Sequence, residues 1–290
     1  MFSHAYEIAA QYTAPVIIST RTLDGSVQCG GGAFVYLNRE GWILTAAHVF
    51  NARQQRAGDA LFYERYRQEI RNIEARPDLP ARSKEERIAS IPRDPGWVIN
   101  ESYWWGMDGV TLEDVKIFDK NDLAIGRLEP FRPETVQQYP KIKDPSTLKP
   151  GTSLCKLGFP FHQIHAAYNK ETNTFELAGD ALPVPFFPMD GILTRFIHGG
   201  KADDGDYEIK FIETSTPGLM GQSGGPIFDR DATVWGIQSH TNHIPLGFSP
   251  KIARNGTEVE ENQFINVGCG VHPETIVNVL LDNGIPFELG

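Results

Sequence analysis

Six residues, Gly221-Gln222-Ser223-Gly224-Gly225-Pro226, constrain this chain more than any other stretch. Glycine loses the most backbone freedom on folding, so three of them around one serine mark a place where the backbone needs φ > 0 or close approach. A serine on such a turn has an exposed hydroxyl, and neighbouring N–H groups can converge on one point. Those are the needs of a nucleophile beside an oxyanion-binding site. A glycine-rich hairpin with an incidental serine satisfies the same letters, so the motif needs partners elsewhere in the chain.

Two distant segments supply them. Leu44-Thr45-Ala46-Ala47-His48-Val49 carries a histidine, and Asn121-Asp122-Leu123-Ala124-Ile125 an aspartate. Along the chain the order is His48, Asp122, Ser223. On these three motifs the chain resembles the trypsin-like (chymotrypsin-type) serine proteases, and within them the bacterial Deg-type, high-temperature-requirement branch without its peptide-binding accessory domains. The resemblance implies two antiparallel β-barrels, a C-terminal helix and a serine endopeptidase that needs no cofactor. Its catalytic residues would be His48, Asp122 and Ser223. The N–H groups of Gly221 and Ser223 would form the oxyanion hole. Substrate-binding positions would be Thr216, Pro217 and Gly218 at the primary pocket, with Gln238, Ser239, His240 and Thr241 as its wall and edge strand. Pro217 stands where relatives specific for Arg or Lys carry an aspartate. His240 could shape the pocket, favour an acidic residue before the cut, or be an exposed loop histidine.

Two rivals remain. The serine motif also fits Gly-x-Ser-x-Gly, the elbow of α/β-hydrolases, which requires a helix after the serine. Here Gly-Gly-Pro and another strand-like run follow. The second is a catalytically silent protease-fold binding module, against which the presence of all three residue types speaks. His162/His165 and His240/His243 lie in loop-like sequence without a zinc-protease helix motif, so no metal is expected.

Composition sets outer bounds. The 290 residues are 40% hydrophobic, with 17 Phe and 5 Trp, enough for a sizeable core. A formal net charge of −10 argues against a general nucleic-acid binder. No uninterrupted apolar run is long enough for a membrane span, and the N-terminus shows no secretory pattern. The three cysteines, Cys29, Cys155 and Cys269, are odd in number and widely spaced. Free thiols and a cytoplasmic setting are expected.

The first half, 1–140, is expected to carry His48 and Asp122, and the second, 141–290, Ser223 and the closing helix. Short β-branched runs at 15–20, 30–36 and 42–45 read as strands. Residues 53–115 break that rhythm. Helical spacing runs from Asp59 to Ala75, and Ser83 with Glu86 suggests a capping box for a second helix to Ser90. Residues 53–93 hold 10 basic and 7 acidic side chains, a local +3 on an acidic chain. This insertion is either a solvated surface element or a docking surface for a protein regulator. Trp97, Tyr103, Trp104 and Trp105 would anchor it on the barrel or sit near the cleft. Prolines crowd 130–150 as in a linker between halves. Residues 161–187 read as a long loop, a lid or activation element. Pro273 to Asn283, with Gly284 beyond, reads as the closing helix.

Overall fold

Short strands rich in β-branched and aromatic residues, broken by glycine turns, fold into two curled sheets. The computed structural model describes residues 2–203, 207–254 and 256–290. A seven-residue helix α1 (Ser3–Ala9) precedes β1 (Thr13–Thr22), β2 (Val27–Tyr36) and β3 (Trp42–Thr45). Two helices, α2 (Asn51–Glu74) and α3 (Ala81–Ser90), interrupt the sheet. It resumes with β4 (Val98–Trp105), β5 (Thr111–Phe118) and β6 (Leu123–Glu129). The six strands pair in the order β4-β1-β2-β3-β6-β5.

The second half begins with β7 (Lys141–Ile142) and β8 (Ser153–Lys156), then a small hairpin of β9 (Ala166–Asn169) and β10 (Thr174–Leu177). Next come β11 (Met189–Lys201), β12 (Glu208–Thr214), β13 (Pro226–Phe228) and β14 (Val234–Pro245). A second hairpin, β15 (Lys251–Arg254) with β16 (Thr257–Glu260), leads to β17 (Phe264–Val271), α4 (Pro273–Asp282) and β18 (Glu288–Leu289). The order β13-β8-β11-β12-β17-β14, with β13 also paired to β14, closes a six-stranded ring. All pairings in the ring are antiparallel. β7 and β18 extend it outside: β7 pairs parallel with β14, and β18 parallel with β7.

This is the expected double-barrel architecture, with several local departures. The helical insertion is real, but α2 starts at Asn51, well before Asp59. Residues 98–115, counted with the insertion from sequence, belong instead to β4 and β5 of the first sheet. Trp104 and Trp105 lie in β4, paired to β1. Trp97 stacks on Phe62 of α2 with ring centroids 6.2 Å apart, and Val98 N–H donates to Asp59 Oδ2 at 2.8 Å. The aromatic cluster therefore anchors the insertion and does not line the cleft described below. The capping box fails because α3 begins earlier. Pro80 is its N-cap, Ser83 lies inside the helix, and Glu86 pairs with Arg82. Residues 161–187 are not all loop, because β9 and β10 pair there.

A continuous apolar core runs from Val16, Phe34, Leu44 and Ile125 in the first sheet to Phe228, Val234 and Ile276 in the second half. The chain start crosses between halves. Phe2 packs edge-on against Phe228, and Tyr12 donates its hydroxyl to Ala232 O at 2.7 Å. Among the described residues no helix is long and apolar enough to cross a membrane.

Candidate active site

His48 lies in a single 3-10 turn, Ala47–Phe50, that directly follows β3. Asp122 closes another, Asp119–Asn121, and enters β6 with φ +46°, a left-handed conformation that Asp tolerates better than most residues. Because β3 and β6 are neighbours, with Thr45 opposite Ala124, the two turns lie side by side. His48 Nδ1–H donates to Asp122 Oδ1 at 2.9 Å, and Oδ2 is 3.0 Å away. The backbone N–H of His48 also donates to Oδ1, at 3.1 Å. Position and tautomer of the imidazole are thus fixed from two directions.

The carboxylate is held further. Ser239, in β14, donates its hydroxyl to Asp122 Oδ2, and His240 Nδ1 lies 2.8 Å from the same Ser239 oxygen. The hydrogen bond from Asp122 raises His48 above the ordinary imidazole value, against the opposing effect of burial. Burial works to raise Asp122. The hydrogen bonds from His48 and Ser239, with the charge of His48, outweigh it and keep that carboxyl below the usual carboxylate range.

The serine loop is clamped by backbone from both halves. Ala33 N–H donates to Ser223 O at 2.8 Å, while Gly224 N–H donates to Gln238 O and Gln238 N–H to Gly225 O, each at 2.8 Å. A Cβ on Gly224, at φ +83°, would fall 2.2 Å from Ala33 O. Gly221 has φ +93°, and a Cβ there would meet Phe159 O at 2.5 Å. Gln222, fully buried, braces the turn by accepting Leu219 N–H on its Oε1 at 3.0 Å. Among the described residues the N–H groups of Gly221 and Ser223 have no hydrogen-bond partner.

A cleft of about 880 Å³ brings the pieces together. His48, Asp122, Ser223, Pro217, Gly218, Ser239, His240 and Thr241 all line it. No hydrogen bond joins Ser223 Oγ to His48 among the described residues. Thr241 Oγ1 accepts Gly218 N–H at 2.8 Å and donates to Gly218 O at 2.7 Å, tying the pocket segment to β14.

Two candidate substrate contacts sit elsewhere. Gln238 is buried behind the wall. Its Nε2 donates to His240 O and Cys269 O, so it braces the strand and does not face the cleft. Thr216 acts through its carbonyl, which accepts Gly268 N–H at 2.8 Å. Ser239, taken from sequence as a substrate contact, spends its hydroxyl on Asp122. The sequence reading also missed Asn51 and Asn266, which line the cleft, and Lys156, whose Nζ donates to Thr216 O and Pro217 O. One signal for Lys156 was present: a lysine inside the apolar run Leu154-Cys155-Lys156-Leu157.

The sequence profile of the trypsin-like peptidase domain matches residues 30–237. The chain belongs to the trypsin-like peptidase domain family. No curated protein matches it. Among solved structures this trypsin-like chain is similar to the HtrA-type protease AlgW. A substituted form with a decapeptide is 13% identical over 98% of this chain and 68% of that one, with a TM-score of 0.51. The same substituted form with a tripeptide is 13% identical over 97% of this chain, TM-score 0.48, and this chain spans 63% of its length. The Rv3671c protease from M. tuberculosis, active form, is 13% identical over 98% of this chain and 86% of its own, TM-score 0.47. At this identity the AlgW–decapeptide likeness concerns the trypsin-like fold alone.

Proposed function

We propose that the chain is a serine endopeptidase in which Ser223 is the nucleophile, His48 the general base and Asp122 its orienting partner. What supports this most is the His48 Nδ1–Asp122 Oδ1 bond at 2.9 Å in the cleft that Ser223 also lines. Ser223 Oγ attacks the scissile carbonyl carbon while His48 Nε2 takes its proton. The carbonyl oxygen becomes an oxyanion, which the unpartnered N–H groups of Gly221 and Ser223 receive. Collapse breaks the C–N bond, and His48 returns the proton to the leaving amine. Water then repeats the sequence on the acyl-enzyme. Ser239 steadies the Asp122 carboxylate throughout. Peptide would lie along β14 as an added strand, with its side chain before the cut in the pocket at Pro217 and Gly218.

The test is Ser223→Ala. Peptide cleavage should fall on the order of 10⁵-fold or more, and labelling by a fluorophosphonate should vanish. Circular dichroism should stay unchanged. Labelling that persists in this variant points to a different nucleophile.

A latent form, switched on by a regulator at the insertion, is the second reading. It draws on the missing Ser223–His48 hydrogen bond and on Asn51, where the insertion roots within three residues of His48 and lines the cleft. The three unbridged thiols favour an intracellular setting.

A further inference from the structure

Past the serine loop, β14 runs on with one edge open. Its closed edge pairs with β17, from Thr241 opposite Gly268 to Pro245 opposite Phe264. On the other edge Gln238 is taken by the serine loop, through Gly224 N–H and Gly225 O. From Ser239 to Pro245 no strand and no backbone hydrogen bond occupies that edge among the described residues. Thr241 and His243 line the cleft that holds Ser223 and His48, and so does Asn266, which stands opposite His243 in β17. The open edge is therefore continuous with the active site.

Alternation along an antiparallel ladder fixes which backbone groups face that edge. Leu246 N–H donates to Gln263 O at 2.9 Å, so it points toward the β17 side. Counting back, Ile244 and Asn242 also point at β17, while Pro245, His243 and Thr241 point away. Gly268, opposite Thr241, agrees with the count: it sends its own N–H to the far side of β17, to Thr216 O at 2.8 Å. Pro245 agrees too, because proline within a sheet is confined to positions whose N–H would face outward. A bulge between Gln238 and Thr241 returns both to the same edge. The open groups are the N–H and C=O of Thr241, the N–H and C=O of His243, and the C=O alone of Pro245.

A strand edge with unused pairs is a template for an extended chain. β14 leads away from Ser223, so a peptide whose segment before the cut lies along it runs antiparallel. With the residue before the cut opposite Ser239, the first past the serine loop's clamp, the third residue falls opposite Thr241 and the fifth opposite His243. We propose that the His243 backbone is a subsite for the fifth residue before the cut, and that the substrate is a chain extended over at least five residues on that side. The fifth residue donates its N–H to His243 O and accepts His243 N–H on its C=O, while the fourth turns both groups away from β14. Pro245 ends the ladder, since it can only accept. Two residues advance about 6.6 Å in a strand and about 3 Å in a helix, so helical segments cannot make both pairs. Unfolded or strand-like chain is then the substrate class. This rests on the serine-peptidase reading above.

The experiment starts from a peptide that wild type cleaves and varies only what precedes its last three residues before the cut. Lengthening that segment from three to five residues should raise kcat/KM on the order of 10-fold, the worth of two hydrogen bonds. N-methylation of the fifth residue should remove the gain, and N-methylation of the fourth should leave it. On the protein side, His243→Pro deletes the donor without deleting a bond to β17 and should shrink the five-to-three ratio. His243→Ala should keep that ratio, because backbone and not imidazole makes the contact. No gain beyond three residues, equal sensitivity at the fourth and fifth amides, an unchanged ratio in His243→Pro or a lost one in His243→Ala overturns the proposal. With fluorophosphonate labelling of Ser223 intact, each of these leaves the peptidase reading standing. If His243→Pro does not fold, the amide comparison in wild type decides alone. Should wild type neither label nor cleave, the peptidase reading falls. The edge is then read by fluorescence anisotropy with fluorescein-labelled tri- and pentapeptides of a common sequence. Tighter binding of the pentapeptide, lost on N-methylation of its first residue, supports the ladder at His243, and equal binding overturns it.

Discussion

Gly221 shows how one residue can be demanded twice, by dihedral angle and by space. Its φ of +93° is one that side-chain-bearing residues rarely adopt, and the carbonyl of Phe159 stands 2.5 Å from where a Cβ would be. Gly221→Ala should therefore turn the peptide that aims the N–H at the cleft, while the strands around it persist. We expect kcat to fall about 10²–10³-fold with little change in KM, as for the loss of one oxyanion donor. A variant with wild-type kcat would show that this N–H is not used. The same residue explains why the site was legible in the sequence. Chemistry dictates both residue types and spacing around Ser223, His48 and Asp122, so they stand out as letters. Lys156 does not, because its importance depends on where a long side chain ends after crossing the barrel. Gln238 misled for the converse reason: it occupies a wall position, but its side chain turns inward to Cys269 O.

Among the elements, α4 was the most readable, with Pro273 at its start and Gly284 just beyond its end. What the pattern did not disclose is how its start is capped. His272 is buried, and its Nδ1 accepts Glu274 N–H at 3.0 Å. Burial lowers this imidazole to about 4, so the folded chain holds it neutral while the unfolded chain protonates near 6.5. Between those values the unfolded state binds the extra proton, and stability falls as pH drops from about 6.5 toward 4. The contribution is on the order of 3 kcal/mol across that window. Urea unfolding of His272→Asn, which keeps a capping oxygen without the titration, should show a flatter pH dependence than wild type. Equal slopes would exclude His272 as the source. Other elements were illegible for plain reasons. α1 has seven residues, too few for a periodic signal. The hairpin β15–β16 is largely exposed, so burial imposes no alternation on its sequence. The aromatic run at 103–105 looked like an anchor, and its membership in the β1 sheet depends on a partner more than eighty residues away.

At the scale of the whole molecule, the halves are joined by a shared core, but the insertion stands apart. Neither α2 nor α3 buries a single residue, and attachment runs through Asp59 and the stack of Phe62 on Trp97. Helices so placed contribute little to the core, and their removal should leave the barrels folded. If they gate the site through Asn51 and the turn of His48, replacing 53–93 with a short Gly/Ser linker should change basal peptide cleavage several-fold. Cleavage identical to wild type, with and without candidate partners, would reduce the insertion to a surface ornament.

His48 and Asp122 belong to the first sheet, while Ser223 and Ser239 come from the second half. The reacting atoms therefore have no common rigid support. Sliding one half over the other by the length of a hydrogen bond would disarm the site with every side chain and strand intact. The crossing of the first dozen residues, with Tyr12 fastened to Ala232, is a brace against that slip.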